Sequence, residues 1–550
     1  MTRVGGGRRG RRTALALAAA LFAGLAVAAA VMMITTDTSA EVGQNVFVNP
    51  AGPIDANNSP TVARNPTQPR NVVVVHRVDL PGFSASLQIS FDGGRAWQTT
   101  ALPLPAGLDR PFAPDVAFAR DGTLYVTYVN LQGAGNRPNN LWLSKSTDGG
   151  RTLSEPVRLA GDLAFQARMA VDSGGTIYVT WLKVADVAPY AIVAYPSPVV
   201  LVRSDDGGKT FSEPVQVSDP DRPRVGAPSP VVDSAGNVAV LYQDFKTDSR
   251  DYQNLDGPVW EEPFALVVTT SKDGGRTWSK GVEVDDNLVP TKRFLVFLPE
   301  FPSIAGGPNG SLYVSWADGR NGDLDVFLRR STDGGVNWGP PVRVNDNRQK
   351  DGTDQYMPKV DVAPDGRVDV VFYDRRSDPS NILTEAYLAY SDDDGRTFEN
   401  LPVSSAPFDS RVGFSANAKV EPDFGSRLGI QSGDDETLTV WTDTRLGTED
   451  TARQDVALAR VQVSTQESPA LARLPVAAVL LGLSALCLVG WRLSGRTSAG
   501  RPGDGGPEDP DTGLEAEPAG RSESADQPAP EAPASAPGTE PEPAPRSVEA

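Results

Sequence analysis

Three observations predict an all-β chain closed into a β-propeller of four-stranded blades, seven of them, with six as the alternative. Glycine and proline supply 53 and 47 of the 550 residues, a turn density that helical proteins do not carry. A Ser-x-Asp-x-Gly-x-x-aromatic segment recurs six times, at spacings of 56, 58, 67, 60 and 60 residues. A fixed period of this size marks a propeller or a solenoid. A second pattern, small or apolar-Pro-x-Val/Ile, a tight glycine turn, then an alternating strand ending in an aromatic, interleaves with the first in seven units. One pattern supplies strands A and B of a blade and the other the turn between strands C and D, which gives four antiparallel strands per unit.

The chain opens with Arg3, Arg8, Arg9, Arg11 and Arg12, followed by an apolar stretch over Ala14–Ile34. Basic then apolar is the export pattern, with Thr38-Ser39-Ala40 as a small-residue cleavage site. The stretch is long for a signal, so residues 1–40 are a signal peptide or an N-terminal anchor. Residues 41–465 form the propeller ectodomain and 466–473 a linker. Leu474–Trp491 is a second apolar span, long enough for a bilayer. Arg492 and Arg496 follow it, which places its far end on the cytoplasmic side. Residues 492–550 are rich in proline and acid and lack aromatics after Trp491, so they read as a disordered cytoplasmic tail.

The six boxes place Asp92, Asp148, Asp206, Asp273, Asp333 and Asp393 at equivalent positions. Their chemistry is structural: an aspartate accepts the N–H groups of its own turn, and glycine supplies the positive φ. The seventh unit has three strands and then stops. Gln44–Asn49 resembles the outer strands elsewhere, so Val46–Val48 is expected to complete the last blade beside Val456–Val463. Closure of this kind removes an exposed sheet edge.

The net charge is −19, and the outer segment 41–491 carries −16 of it. Such a polyanion is a poor partner for nucleic acid. One cysteine and one histidine, His76, exclude a disulfide framework and a Cys/His metal site. His76 lies in the run Val72–Val75 and reads as a half-buried strand residue. No cofactor is expected. Loop acids offer oxygen ligands to Ca²⁺, but no EF-hand-like spacing supports it. A monomer is expected.

Six Ser-x-Asp boxes at blade spacing over about residues 44–465 resemble the Asp-box, or BNR-repeat, sialidase-like propellers. The resemblance implies the fold; the box is shared by hydrolases, receptors and assembly factors, so it implies no single activity. Sialidases of this kind hold a carboxylate with three arginines and use a Tyr nucleophile with a Glu and an Asp. The first of those arginines sits in an aromatic-Arg-Ile-Pro motif. Here the stretch reads Asn58-Ser59-Pro60-Thr61-Val62, without arginine.

Long B–C and D–A connections share one rim, where function concentrates. Three B strands leave there through Asp-x-Arg: Asp318 with Arg320, Asp374 with Arg376, and Asp443 with Arg445. One reading makes them inter-blade ion pairs and turn caps. The other makes them a ligand-binding rim suited to polyhydroxyl or carboxylated ligands. Around them stand Glu300, Asp351, Asp354, Glu421 and Asp423. Tyr356, Asp354 and Asp374 are the candidates for catalysis, although Tyr356 also reads as a packing aromatic. Two functions remain: a membrane-anchored ectodomain binding a glycan or other cell-surface ligand without sialidase-type catalysis, or an exo-glycosidase.

Overall fold

Runs such as Val72–Val75, Leu124–Tyr128 and Val238–Tyr242 combine β-branched and aromatic residues and are buried on both faces. A sheet built from them needs a neighbour on each side, and a ring of sheets provides it. The computed structural model describes residues 34–469 except 51, 53, 134–135, 162, 185–195, 247–262, 290–301 and 414–423. It forms seven antiparallel sheets, one per blade.

Blade 1 is Ala56–Arg64, Val72–Leu80, Ser84–Ser90 and Gln98–Thr100. Blades 2 to 6 start from innermost strands Pro111–Phe118, Ala164–Val171, Val225–Val232, Ser303–Gly306 and Gln355–Val362. Each continues outward through three further strands in chain order. The only helical element among the described residues is a 3₁₀ turn at Pro308–Gly310. Seven blades, rather than the alternative six, are therefore present.

Blade 7 has Gly429–Ser432, Glu436–Asp443 and Asp455–Pro469, and its outer strand comes from the N-terminal side. Val46 and Phe47 lie opposite Leu458 and Ala457, and the Val48 N–H donates to the Val456 carbonyl at 2.8 Å. Closure thus occurs where the sequence places it. It also extends further: Ile34–Val42 pairs in continuous register with Val461–Pro469. Strand structure therefore reaches into residues assigned from sequence to the export segment and to the linker.

The hydrophobic side chains among the described residues gather into clusters that fill the seams between blades. Trp316 sits with Leu241 and Leu266 in the 4–5 seam, and Trp441 with Tyr373 and Leu388 in the 6–7 seam. Val62, Val72 and Val74 meet Leu438, Val440 and Leu458 where the ring closes. Each large side chain so buried contributes about 1.5–3 kcal/mol.

The boxes form tight turns with reciprocal hydrogen bonds. The Ser271 hydroxyl donates to Asp273 Oδ1 at 2.8 Å and accepts from the Gly275 N–H at 2.8 Å. Asp273 Oδ1 also accepts from the N–H groups of Arg276 and Thr277, and Oδ2 from the Thr277 hydroxyl at 2.7 Å. Thr277, through its hydroxyl and then its N–H, holds this carboxyl well below the usual range. The backbone N–H and side chain of Asn337 hold Asp333 down to about 2 in the same way. The sixth box replaces a glycine with Asp394, which adopts φ 66°, a conformation that aspartate tolerates better than most residues.

No helix among the described residues is long and apolar enough to cross a membrane. The segment through residue 33, the span at 474–491 and the tail at 492–550 lie outside the described residues.

Candidate functional site

The Asp-x-Arg motifs are built as ties between blades. Asp318 accepts the Arg320 N–H at 3.0 Å and the Trp316 indole N–H at 2.8 Å. The Arg320 guanidinium spans Asp318 at 2.6 Å and Asp285, in the outer strand of blade 4, at 2.9 Å. Burial works against the charge of Arg320, and the two carboxylates outweigh it, so its pKa is raised. Arg376 pairs with Asp374 at 2.7 Å and with Asp346 beyond the outer strand of blade 5. Arg445 pairs with Asp443 and reaches Ser405, after the outer strand of blade 6, and Asn45. Asp318, Asp374 and Asp443 are completely buried. Burial pushes the Asp374 carboxyl up, against the pull of Arg376. The three arginines are held in three separate seams.

Tyr356 is buried in the 6–7 seam, its ring 5.3 Å from that of Tyr373 and capped by the Arg375 guanidinium at 4.9 Å. Its hydroxyl finds no hydrogen-bond partner among the described residues. Asp354 accepts the Leu324 N–H at 3.0 Å and an Asn381 side-chain N–H at 2.7 Å, which ties blade 6 to a loop of blade 5. Asp351 accepts the N–H and hydroxyl of Thr353. Glu300, Glu421 and Asp423 lie outside the described residues. His76 is buried, with Nδ1 3.1 Å from the Arg77 carbonyl oxygen, and burial lowers it to about 4. It is therefore neutral at pH 7.

The strongest concentration of chemistry lies on the axis. Five of the seven innermost strands carry a register shift, between Asn58 and Thr61, Phe112 and Asp115, Phe165 and Arg168, Gly226 and Ser229, and Tyr356 and Lys359. At each shift a non-glycine residue has positive φ: Ser59, Ala113, Gln166, Ala227 and Met357. In blade 7 Gly425, at φ 95°, holds the same place. A bulge re-aims the side chain that follows it. The residue two places on, Thr61, Asp115, Arg168, Ser229, Lys359 and Arg427, lines an axial cavity of about 190 Å³, and Ser303 joins them from blade 5, one residue per blade.

This ring is polar and internally braced. Arg427 Nε donates to the Thr61 hydroxyl at 3.0 Å, and its Nη2 donates to the Pro114 carbonyl at 2.6 Å. Asp115 Oδ2 accepts the Met169 N–H at 2.9 Å. The Ser303 hydroxyl accepts the Val360 N–H at 3.1 Å. Asp115 is the one carboxylate among the described lining residues, and none of the Asp-x-Arg residues, Tyr356 or Asp354 lines the cavity. Sequence reasoning missed this ring. Its signal was the x of Pro-x-Val/Ile: Thr61, Asp115, Ser303 and Lys359 each follow a proline and precede Val or Ile. Among the described residues no group of three His, Cys, Asp or Glu side chains is placed to hold a metal ion.

No family model and no curated protein matches the chain. Several solved structures are similar to it in fold. A protein of unknown function from Dyadobacter fermentans is 14% identical, with 77% of this chain and 99% of that chain covered and a TM-score of 0.44. The GH93 α-L-arabinofuranosidase of Fusarium graminearum, solved with arabinobiose, is 16% identical over 65% of this chain and 95% of its own, with a TM-score of 0.40. A Hadza microbial sialidase is 16% identical over 72% and 74%, with a TM-score of 0.38. The likeness is one of fold alone.

Proposed function

We propose that the chain is an exported, membrane-anchored propeller that binds a ligand of the glycan class without sialidase-type catalysis. The observation that carries this reading is the make-up of the axial cavity, whose described lining has a polar ring and a single carboxylate. Glycoside hydrolysis of the usual kind needs two carboxylic groups flanking the scissile bond. Asp115 is the one carboxylate among the described lining residues, with one oxygen already accepting a backbone N–H. The raised carboxyls of buried Asp374 and of Asp361 favour the alternative, an exo-glycosidase, because a general acid needs such a shift.

The anchoring rests on the apolar segments 14–34 and 474–491. The pairing of Ile34 with Pro469 is in keeping with it, because these two residues, next in sequence to the two apolar segments, lie opposite one another in one two-stranded ribbon. The acidic outer domain argues against nucleic acid as a ligand. The deciding experiment is a glycan array probed with the detergent-solubilised full-length chain, run beside a panel of fluorogenic glycosides that includes a sialoside. Binding without turnover is the expected result. Robust turnover establishes the exo-glycosidase, and silence in both assays removes the glycan reading.

A further inference from the structure

Six blades join their third and fourth strands through a Ser-x-Asp turn, and blade 7 does not. Its third strand, Asp455–Pro469, continues past the level at which that turn stands elsewhere. Neighbouring contacts fix the level. In blade 6 the second strand begins at Val368, opposite Ser391, the first residue of the sixth box. The turn before Val368 therefore shares a rim with that box. Its Asp365 N–H donates at 2.9 Å to Asp434 Oδ1, in the corresponding turn of blade 7. There Gln462 is the last residue of the third strand opposite the second, at Glu436. The next N–H, that of Val463, donates to the Asp435 carbonyl at 2.9 Å. Residues 464–469 thus stand beyond the Ser-x-Asp rim, where their strand partner is residues 34–39.

A bulge would bend this ribbon, and none interrupts it. Register is continuous from Asp455 to Gln462 against the second strand and from Val461 to Pro469 against the N-terminal one. At about 3.3 Å per residue, the ribbon clears the rim by about 20 Å. Its far end is the pair Ile34 and Pro469. Ile34 is also the last residue of the apolar stretch that begins at Ala14, and residues 470–473 alone separate Pro469 from the span that begins at Leu474. Fully extended, that connection bridges at most about 18 Å. A return to the long-loop rim has to retrace the ribbon and the height of the blade, about 45 Å in all. The connection is too short for that.

We propose that the propeller meets a lipid surface through its Ser-x-Asp rim, with the ribbon as a post between them, and that the long-loop rim faces away from the bilayer. The proposal rests on the membrane-anchored reading and adds to it the face that the lipid takes. It also selects the source of the ligand. The B–C and D–A connections stand about 45 Å from the lipid at the ribbon's end, beyond the headgroups of the membrane that holds the chain. A glycan in solution or on a facing surface reaches them, and a glycolipid of the same bilayer does not.

The test uses the full-length chain carrying Cys487→Ser, reconstituted in lipid nanodiscs whose headgroups bear an energy-transfer acceptor. Donor dyes are attached to single cysteines at four exposed positions. Lys272→Cys and Asp392→Cys mark the Ser-x-Asp rim, and Ser377→Cys and Glu449→Cys mark the long-loop rim. Averaged over each rim, transfer to the lipid should be at least threefold stronger from the Ser-x-Asp positions. A smaller ratio, or stronger transfer from the long-loop positions, overturns the orientation and leaves the anchor standing. Failure of the unlabelled chain to co-elute with the discs overturns the anchored reading, and the orientation with it.

Discussion

Asp361 and the box aspartates respond to acid in opposite directions. Burial raises the Asp361 carboxyl to about 6, so the folded chain holds this proton more tightly than the unfolded chain does. Its contribution is complete below about pH 4 and is lost as the pH rises through 6. Asp361→Asn keeps an oxygen for the Ser432 N–H and removes the charge. It should stabilise by about 1–2 kcal/mol at pH 7.5 and by much less at pH 5, as read from urea unfolding at the two pH values. A gain of the same size at both would show that the charge is not responsible. The box carboxyls of Asp92, Asp206, Asp273 and Asp333 are depressed. Their contribution is present above the ordinary carboxylate range and is lost as the pH falls below it. Asp273→Ala removes the acceptor for two backbone N–H groups and the hydroxyls of Ser271 and Thr277. It should lower the Tm by about one to three degrees and leave ligand binding untouched; a loss of binding without a loss of Tm would assign the box a role beyond its turn.

Between elements, the seams carry the polar ties and the N-terminal strand carries closure. Arg320→Ala leaves Asp318 and Asp285 without their shared cation in a buried seam. A cost of about 2–4 kcal/mol is expected in denaturant unfolding, with the glycan profile of the surviving folded protein unchanged. A changed profile at full stability would return Arg320 to the ligand-binding rim. The ribbon of Ile34–Val42 on Val461–Pro469 contains Thr38-Ser39-Ala40, and Ser39 and Ser464 share a hydrogen bond at 2.9 Å. Cleavage after Ala40 would remove most of that strand. We therefore expect the purified chain to retain the residues before 34, as intact-mass measurement will show; a mature N-terminus at residue 41 contradicts this. Deleting residues 34–48 should expose the edge of Asp455–Pro469 and lower the Tm by several degrees.

For the whole molecule, the proposed reading predicts ligand binding without hydrolysis of a fluorogenic sialoside, because Tyr356 is packed in a seam and the described cavity lining holds one carboxylate. Fluorescence release by the full chain at a rate above the buffer blank, abolished by Tyr356→Phe, would reverse that conclusion. Protease added to intact cells should remove the propeller and spare the tail, in keeping with a single exported domain held at the membrane.

What the sequence determined by itself was local or periodic. Ser271, Asp273 and Gly275 lie within five residues of one another, so their turn chemistry is readable without a fold. A box every 56 to 67 residues counts blades for the same reason. Val46–Val48 resembled other outer strands, and the gap in the last unit showed where it belonged. Only the closed ring could decide the rest. Arg320 finds Asp285 because blade 4 lies beside blade 5, a pairing across 35 residues that no local pattern encodes. Arg168, Lys359 and Arg427 sit in three different blades, and each alone reads as one charged residue in an apolar segment. They meet because β-bulges precede Arg168 and Lys359, the positive-φ Gly425 precedes Arg427, and closure brings the innermost segments of the blades around one cavity. Convergence of that kind is a property of the ring and of no single repeat.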